Sequence, residues 1–248
     1  MKKLGLIGYP LGHSFSKKYY LEKFKNENIQ GIDYDLYPVS TIEEFSTLYT
    51  GDSAFYGVNV TIPYKQAVIP YLNELSPEAS AIGAVNCIQI IQTPGEDPYL
   101  IGHNTDVIGF MNSLAPLLTE QHKNALILGN GGATKAVAYA LEKLGISYQI
   151  VSRSKKADHI TYEDLNTDII RDHKLIINCS PVGTAPNIEQ CPNIPYEGID
   201  NSHLLYDLIY NPTETLFLKN GKERGAAIKN GLEMLILQAE ENWKIWNQ

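Results

Sequence analysis

Cysteine is scarce in this chain. Only Cys87, Cys179 and Cys191 occur, an odd number at wide spacing. That argues against a disulfide framework and for reduced thiols in a cytoplasmic protein. CxxC, HExxH and His–Cys clusters are absent, so no metal site is expected. No apolar run approaches the ~18 residues of a membrane span. Gly8 and Pro10 interrupt the first apolar stretch too early for a signal peptide, which leaves a first strand there. Positive charge is in deficit: 20 Lys and Arg stand against 28 Asp and Glu, for a net charge of −8 and a pI of about 5.3. A balance of that sign argues against nucleic acid as the main partner. Neither a membrane nor a nucleic acid is therefore an expected partner, which leaves room for a small molecule; the assembly, expected as a monomer or homodimer, is not fixed by composition. Internal repeats and low-complexity segments are also missing.

What remains is an ordinary globular composition, 44% hydrophobic and 19% charged over 248 residues. That length suits one large domain or two of common size. The stretch around which the first half is organised is Gly57-Val-Asn-Val-Thr-Ile-Pro-Tyr-Lys65. Apolar and polar residues alternate until Pro63, which has no N–H and ends the strand. Side chains just past a strand end sit where α/β folds bind ligands. Asn59, Thr61 and Lys65 can converge there on one small polar molecule, and lysine suits acid–base work because burial readily lowers its pKa. An ordinary strand, a turn and a solvated lysine would satisfy the same spacing.

Strands are expected at 4–8 and 34–39. Between them Ser14 or Ser16 caps a helix through Tyr20, Leu21 and Phe24; the same two hydroxyls could instead bind a polyol or a carboxylate. A helix is expected over 41–49, with Thr41 and Glu44 in capping-box spacing. This order implies a parallel α/β layer. Ser76 and Pro77 start a short helix ending at Ile82. Asn86 opens the next strand, residues 92–98 form a hairpin-like loop, and 99–101 are its return strand. Asp106 then leads into a helix through Leu114. It either decorates the first helical turn, where the dipole favours acids, or serves as a carboxylate beside a substrate; the spacing leaves both open.

At Asn124 the pattern changes. Strand 125–128, the turn Gly129-Asn-Gly-Gly-Ala-Thr-Lys-Ala136, a helix through Leu144 and strand 146–151 make the context of a dinucleotide site. Small residues let the backbone approach a pyrophosphate, and the helix N-terminus offers N–H groups. Thr134 stands where a third glycine would, with Gly132 and Ala136 as candidates for the close packing. About 20 residues past the glycines an NAD site wants an acid for the ribose diol. Here Ser152-Arg-Ser-Lys-Lys156 stands instead, a cluster suited to a 2′-phosphate. Further strands are expected at 175–177, 204–208 and 226–228, with a helix over 213–218. Residues 185–202 read as loop, and Gly231 opens a terminal amphipathic helix.

Gly8-Tyr-Pro-Leu-Gly-His-Ser-Phe-Ser16, Asn59-Val-Thr-Ile-Pro-Tyr-Lys65, Gly83-Ala-Val-Asn86, Asn104-Thr-Asp106, Tyr206-Asp-Leu-Ile-Tyr-Asn-Pro212 and Met234-Leu-Ile-Leu-Gln238, in this order, resemble the shikimate dehydrogenase family, NADP-dependent reductases of aromatic amino acid biosynthesis. The resemblance implies an α/β protein of two domains: an α/β substrate domain (1–103, completed by helix 232–248) and a Rossmann-type NADP domain (104–231), with a cleft between them. It implies reversible reduction of 3-dehydroshikimate with Lys65 and Asp106 as the catalytic pair. Ser14, Ser16, Asn59, Thr61, Asn86, Tyr210 and Gln238 would hold the substrate. Gly129, Asn130, Gly131, Gly132, Ala133, Ser152, Arg153, Ser154, Lys156 and Gly231 would hold NADP. The chain departs from the family pattern at Lys17, Ser152, Thr184 and Glu233. A quinate/shikimate dehydrogenase using NAD is an alternative that the basic cluster after Ser152 opposes. A non-catalytic NADP sensor is another, opposed by the retention of Lys65 and Asp106.

Overall fold

Apolar residues at 4 and 6, and again at 7, put β1 (Lys2–Gly8) between two hydrophobic layers, because successive strand side chains point to opposite faces. In the computed structural model, which describes residues 1–12, 14–50 and 54–248, this strand lies second from one edge of the sheet of the first of two units. That unit comprises Met1–Thr105 and Ala239–Gln248, and the second comprises Asp106–Gln238.

In the first unit β1 is followed by α1 (Phe15–Asn26), β2 (Ile32–Pro38), α2 (Phe45–Thr50), β3 (Phe55–Val60), β4 (Glu74–Leu75), α3 (Pro77–Ile82), β5 (Cys87–Ile91) and β6 (Tyr99–His103). The sheet order is β2-β1-β3-β5-β6-β4. β1 runs parallel to β2 and β3 as the alternation with helices requires. β5 is antiparallel to both β3 and β6, so the sheet is mixed. The short turn at 92–98 allows only a hairpin. One face packs Ile7, Phe45, Val58, Val60 and Ile88. The other packs Leu4, Leu6, Tyr20, Phe24, Tyr34 and Trp246. Trp246 lies against Gly57, where a Cβ would come within 2.4 Å of the indole, and its Nε1 donates to the Ile88 carbonyl at 3.0 Å.

The second unit contains α4 (Asp106–Leu114), β7 (Asn124–Leu128), α5 (Gly132–Lys143), β8 (Ser147–Ser152), β9 (His159–Thr161), α6 (Thr167–Asp172), β10 (Leu175–Asn178), β11 (Leu204–Asp207), α7 (Leu216–Lys222), β12 (Ala227–Lys229) and the start of α8 (Leu232–Trp246). Its sheet, β12-β11-β10-β7-β8-β9, is parallel throughout. Residues 125–128 and the whole of β10 and β11 are buried, as a parallel sheet covered on both faces demands. The chain order reverses direction at β7. Ligands in such sheets bind outside the carboxyl ends at that switch point.

Several expectations are corrected. Thr41 makes no capping hydrogen bond; the Glu44 carboxylate accepts from the Ser40 N–H at 3.2 Å instead, and a 3₁₀ turn precedes α2. The helix expected over 213–218 is α7, starting at Leu216, because Thr215 is its N-cap and accepts from Leu218 N. β4, β9 and α6 were not anticipated: each has six residues or fewer, too short to show a period. The units divide after Thr105 and after Gln238, later than the sequence boundaries at 103 and 231. The first turns of α8 pack on α4, where a Cβ on Gly109 would sit 2.5 Å from the Met234 carbonyl.

Candidate active site

In the first unit, β3 ends at Val60 and the chain turns through 61–68. Asn59, near that end, is buried at 5% exposure. Its Oδ1 accepts from the Tyr34 phenol at 2.8 Å and its Nδ2 donates to the Asn86 carbonyl at 3.2 Å. Asn86 is buried as well. Its Oδ1 accepts from Thr105 N at 2.7 Å and its Nδ2 donates to Thr105 Oγ1 at 3.0 Å. Thr105 Oγ1 donates in turn to Asn242 Oδ1 at 2.6 Å. At the other end of the chain of contacts, Ser16 is hydrogen-bonded to the Tyr34 phenol, whose pKa burial holds well above the usual tyrosine range. The half-buried Ser16 and the buried Asn59 and Asn86 thus belong to one polar run. Networks of this kind are fixed in geometry because any unpaired member is costly.

Lys65 is half-buried, and its carbonyl accepts from Val85 N at 2.7 Å. That bond ties the lysine turn to the segment ending in Asn86. Thr61 is half-buried, and its N–H donates to the Ile7 carbonyl at 3.0 Å. Ser14 is the N-cap of α1, accepting from Lys17 N at 3.4 Å, so the capping role holds for that serine. Lys17 pairs with Asp35 at 2.6 Å. His13, in the same motif, lies outside the described residues. Tyr34, Thr105 and Asn242 were missed as site residues. Thr105 had a signal, lying inside the Asn104-Thr-Asp106 motif, whereas Tyr34 reads as a strand aromatic and Asn242 as a helical surface residue.

Asp106 opens α4 in the second unit and is half-buried. Gln238 is buried, with Nε2 donating to the Leu235 carbonyl at 2.8 Å. Tyr210 is exposed on the loop after β11.

The glycine turn follows β7. Gly129 has φ +112°, a conformation that strains any L side chain, and a Cβ there would lie a tight 3.2 Å from the backbone of Cys179 and Ser180. Gly131 is the N-cap of α5 and Gly132 its first residue; no atom lies within 4 Å of a Cβ on either. Gly132 therefore does no close packing, and that expectation is corrected. Ala136 is buried instead, and the Thr134 hydroxyl donates to the Gly129 carbonyl at 3.0 Å, bracing the turn from the third-glycine position.

A cavity of about 450 Å³ opens at these strand ends, walled by Gly129, Asn130, Gly131, Ser152, Arg153, Tyr162, the backbone segment 179–182, and Cys191, Pro192 and Asn193. The Ser152 hydroxyl is committed: it donates to the Ser154 carbonyl at 2.6 Å and lies 3.3 Å from His159 Nδ1. It shapes the loop that presents Arg153. Ser154 and Lys156 are exposed beside it. Gly132, Ala133, Ser154, Lys156 and Gly231 are not among the residues walling the cavity. Gly231 is buried, and a Cβ there would fall 2.1 Å from the Leu208 carbonyl oxygen. Its glycine is thus required by backbone approach. Glu233, close by, is paired with Lys229. Tyr162 and the Cys191 segment were missed because nothing in their spacing announces them. The donors fit a dinucleotide: a helix N-terminus behind glycines for a pyrophosphate, and an exposed guanidinium where an acid would otherwise meet a ribose diol.

Comparison with known proteins agrees. The family model for the shikimate dehydrogenase substrate binding domain matches residues 6–88. The shikimate dehydrogenase (NADP(+)) of Carboxydothermus hydrogenoformans is 38% identical over 264 residues, covering 99% of this chain and 91% of its own. The chorismate mutase/shikimate 5-dehydrogenase fusion protein of Clostridium acetobutylicum superposes with a TM-score of 0.84 at 35% identity, covering 99% of this chain and 91% of that one. Shikimate 5-dehydrogenase of Thermus thermophilus, solved in complex with NADP(H) and shikimate, gives a TM-score of 0.84 at 29% identity, covering 99% and 93%. With identity at this level across almost its full length, the chain belongs to the shikimate dehydrogenase (NADP(+)) family.

Proposed function

We propose that this chain is an NADP-dependent oxidoreductase acting on a CH–OH group: it interconverts 3-dehydroshikimate and shikimate in the chorismate branch of aromatic amino acid biosynthesis. The observation that carries the reading is the buried run through Asn59, Asn86 and Thr105. Lys65 is bonded through its backbone to the residue before Asn86, and Asp106 directly follows the residue that Asn86 grips. Two catalytic candidates and two preset amides are thereby anchored to one polar framework.

Bound NADPH supplies the hydride for the carbonyl carbon. Lys65 delivers the proton to the carbonyl oxygen and takes it back in the reverse direction. Asp106 holds the substrate hydroxyl and the lysine in line. Asn59, Asn86, Thr61, Tyr210 and Gln238 bind ring hydroxyls. Ser14 and Ser16 bind the carboxylate at the N-terminus of α1, a 12-residue helix whose dipole favours an anion. Gly129, Asn130, Gly131, Gly132 and Ala133 present backbone to the pyrophosphate. Arg153, on the loop shaped by Ser152 and flanked by Ser154 and Lys156, reads the 2′-phosphate, and Gly231 sets the course of α8. The three cysteines are free thiols, in keeping with a cytoplasmic site of action. Initial rates with shikimate and quinate, each with NADP and NAD, test the reading. Turnover of shikimate with NADP is expected to be fastest by at least about tenfold, the scale of one charge-assisted contact to the 2′-phosphate; no turnover with any pair refutes it.

A further inference from the structure

Asn178 and Asp207 are register partners at the carboxyl ends of β10 and β11, and both are fully buried. Asn178 Oδ1 accepts from Ser180 N at 3.0 Å and Ser180 Oγ at 2.7 Å. Its Nδ2 donates to Asp207 Oδ1 at 3.0 Å and faces the Val182 carbonyl at 3.4 Å. Asp207 Oδ1 also accepts from Ile209 N at 3.0 Å, and Oδ2 accepts from Thr215 Oγ1 at 2.6 Å. All of these donors are neutral. Building on the function proposed above, we infer that Asp207 and Asn178 are positioning residues for the reaction, together setting the loop that walls the cofactor cavity and the loop that carries Tyr210.

The two loops follow adjacent strands and are joined further out, where Ala185 N donates to the Asn211 carbonyl at 3.4 Å. The first presents Cys179, Ser180, Pro181 and Val182 to the cavity. The Cys179–Ser180 backbone also abuts Gly129, 3.2 Å from where a Cβ would stand, so a shift of this loop reaches the glycine turn. A carboxylate at position 207 is expensive to bury: desolvation pushes its carboxyl up to about 6 against three hydrogen bonds that lower it. Filling space alone would favour an apolar residue. The two carboxylate oxygens take the Asn178 side-chain amide, the Ile209 backbone N–H and the Thr215 hydroxyl together, and an apolar side chain would take none of the three.

The test compares wild type with Asp207→Ala, Asp207→Asn and Ile170→Ala, well below every melting temperature. Ile170 is a buried α6 residue whose carbonyl lies 3.0 Å from His203 Nε2, just before β11 begins. It therefore sits at the opposite ends of the strands, and its truncation serves as a stability control. NADP Kd is read by fluorescence quenching, and KM for shikimate and kcat by absorbance. Asp207→Ala is expected to weaken NADP binding about 10-fold, the scale of one or two lost hydrogen bonds, and to raise KM for shikimate. Asp207→Asn recovers most of both, because its carbonyl keeps Ile209 and Asn178 while its amide meets the Thr215 hydroxyl. Ile170→Ala lowers Tm and leaves both constants alone. Wild-type affinity in Asp207→Ala, or an equal loss in Ile170→Ala, overturns the inference. Should Asp207→Ala not fold, Thr215→Val removes the Oδ2 partner together with the cap on α7; it is expected to move both constants the same way by a smaller factor, and unchanged constants overturn the inference. A wild type that binds NADP without oxidising shikimate refutes the functional reading instead, and the Kd comparison still decides the positioning role.

Discussion

Removing one oxygen atom, in Tyr34→Phe, probes the polar run of the first unit. The Tyr34 ring is fully buried and packs on Tyr20 with ring centroids 4.6 Å apart. Phenylalanine keeps that packing, so no cavity forms beyond the hydroxyl itself. What changes is Asn59 Oδ1, which loses a donor at 2.8 Å in a place water does not reach, and the half-buried Ser16, which loses the same phenol. A buried acceptor left unpaired costs about 1–3 kcal/mol. That should lower Tm by about 2–12 °C for a chain of this length. If Asn59 binds the substrate, its amide becomes free to reorient, and KM for shikimate should rise about 5- to 150-fold with the same energy. NADP Kd should stay within about twofold, since neither Tyr34 nor Asn59 borders the cavity in the second unit. Differential scanning fluorimetry, steady-state kinetics and cofactor titration give the three numbers. A lower Tm with unchanged KM would show that the run holds the sheet together and does not orient Asn59. A changed NADP Kd would contradict the division of roles between the units.

Arg153→Ala should weaken NADP binding about 10- to 100-fold and leave NAD unchanged, with the gap narrowing as salt is added because the guanidinium is exposed; equal losses for both cofactors would show that it supports the loop only. Lys65→Ala should lower kcat by about 10²-fold or more, and near-normal turnover would remove it from the chemistry. Asp207 predicts a pH dependence of stability. Its folded pKa of about 6 lies above the ordinary value of 3.8, so the folded chain holds the proton more tightly than the unfolded one. Its penalty is absent below the unfolded pKa, grows between about pH 4 and 6, and is complete above about 6. Tm of the wild type should therefore fall relative to Asp207→Asn across that window, by an amount worth about 2–3 kcal/mol; parallel curves would refute the buried ionisation.

Much of the fold was legible because its signals are local. Ser76 and Pro77 start α3 where the cap rule puts it, with Ser76 accepting from Ala79 N at 3.2 Å, and the apolar run 125–128 is a buried parallel strand. Gly129 and Gly131 announced the turn that walls the cavity. What stayed hidden depends on contacts between distant segments. Thr41 and Glu44 have capping-box spacing, yet Glu44 satisfies Ser40. Gly231 lies against the Leu208 carbonyl, a close approach that no spacing rule places beside it. Asn242 carries no mark in the sequence. Only the fold brings it to Thr105.

The last turns of α8 have a consequence for how the protein is made. Trp246 and Ala239 belong to the core that also contains Leu4, Tyr20 and Tyr34, and Asn242 closes the polar run through Thr105. The ribosome releases the whole of the second unit before it releases these residues. The nascent first unit therefore waits with one apolar face open beyond what α1 covers, while the second unit, whose sheet is built from its own six strands, is free to fold. Synthesis order and folding order are inverted: the half translated first is completed last, and a nascent chain stalled before Ala239 would present that open face to chaperones.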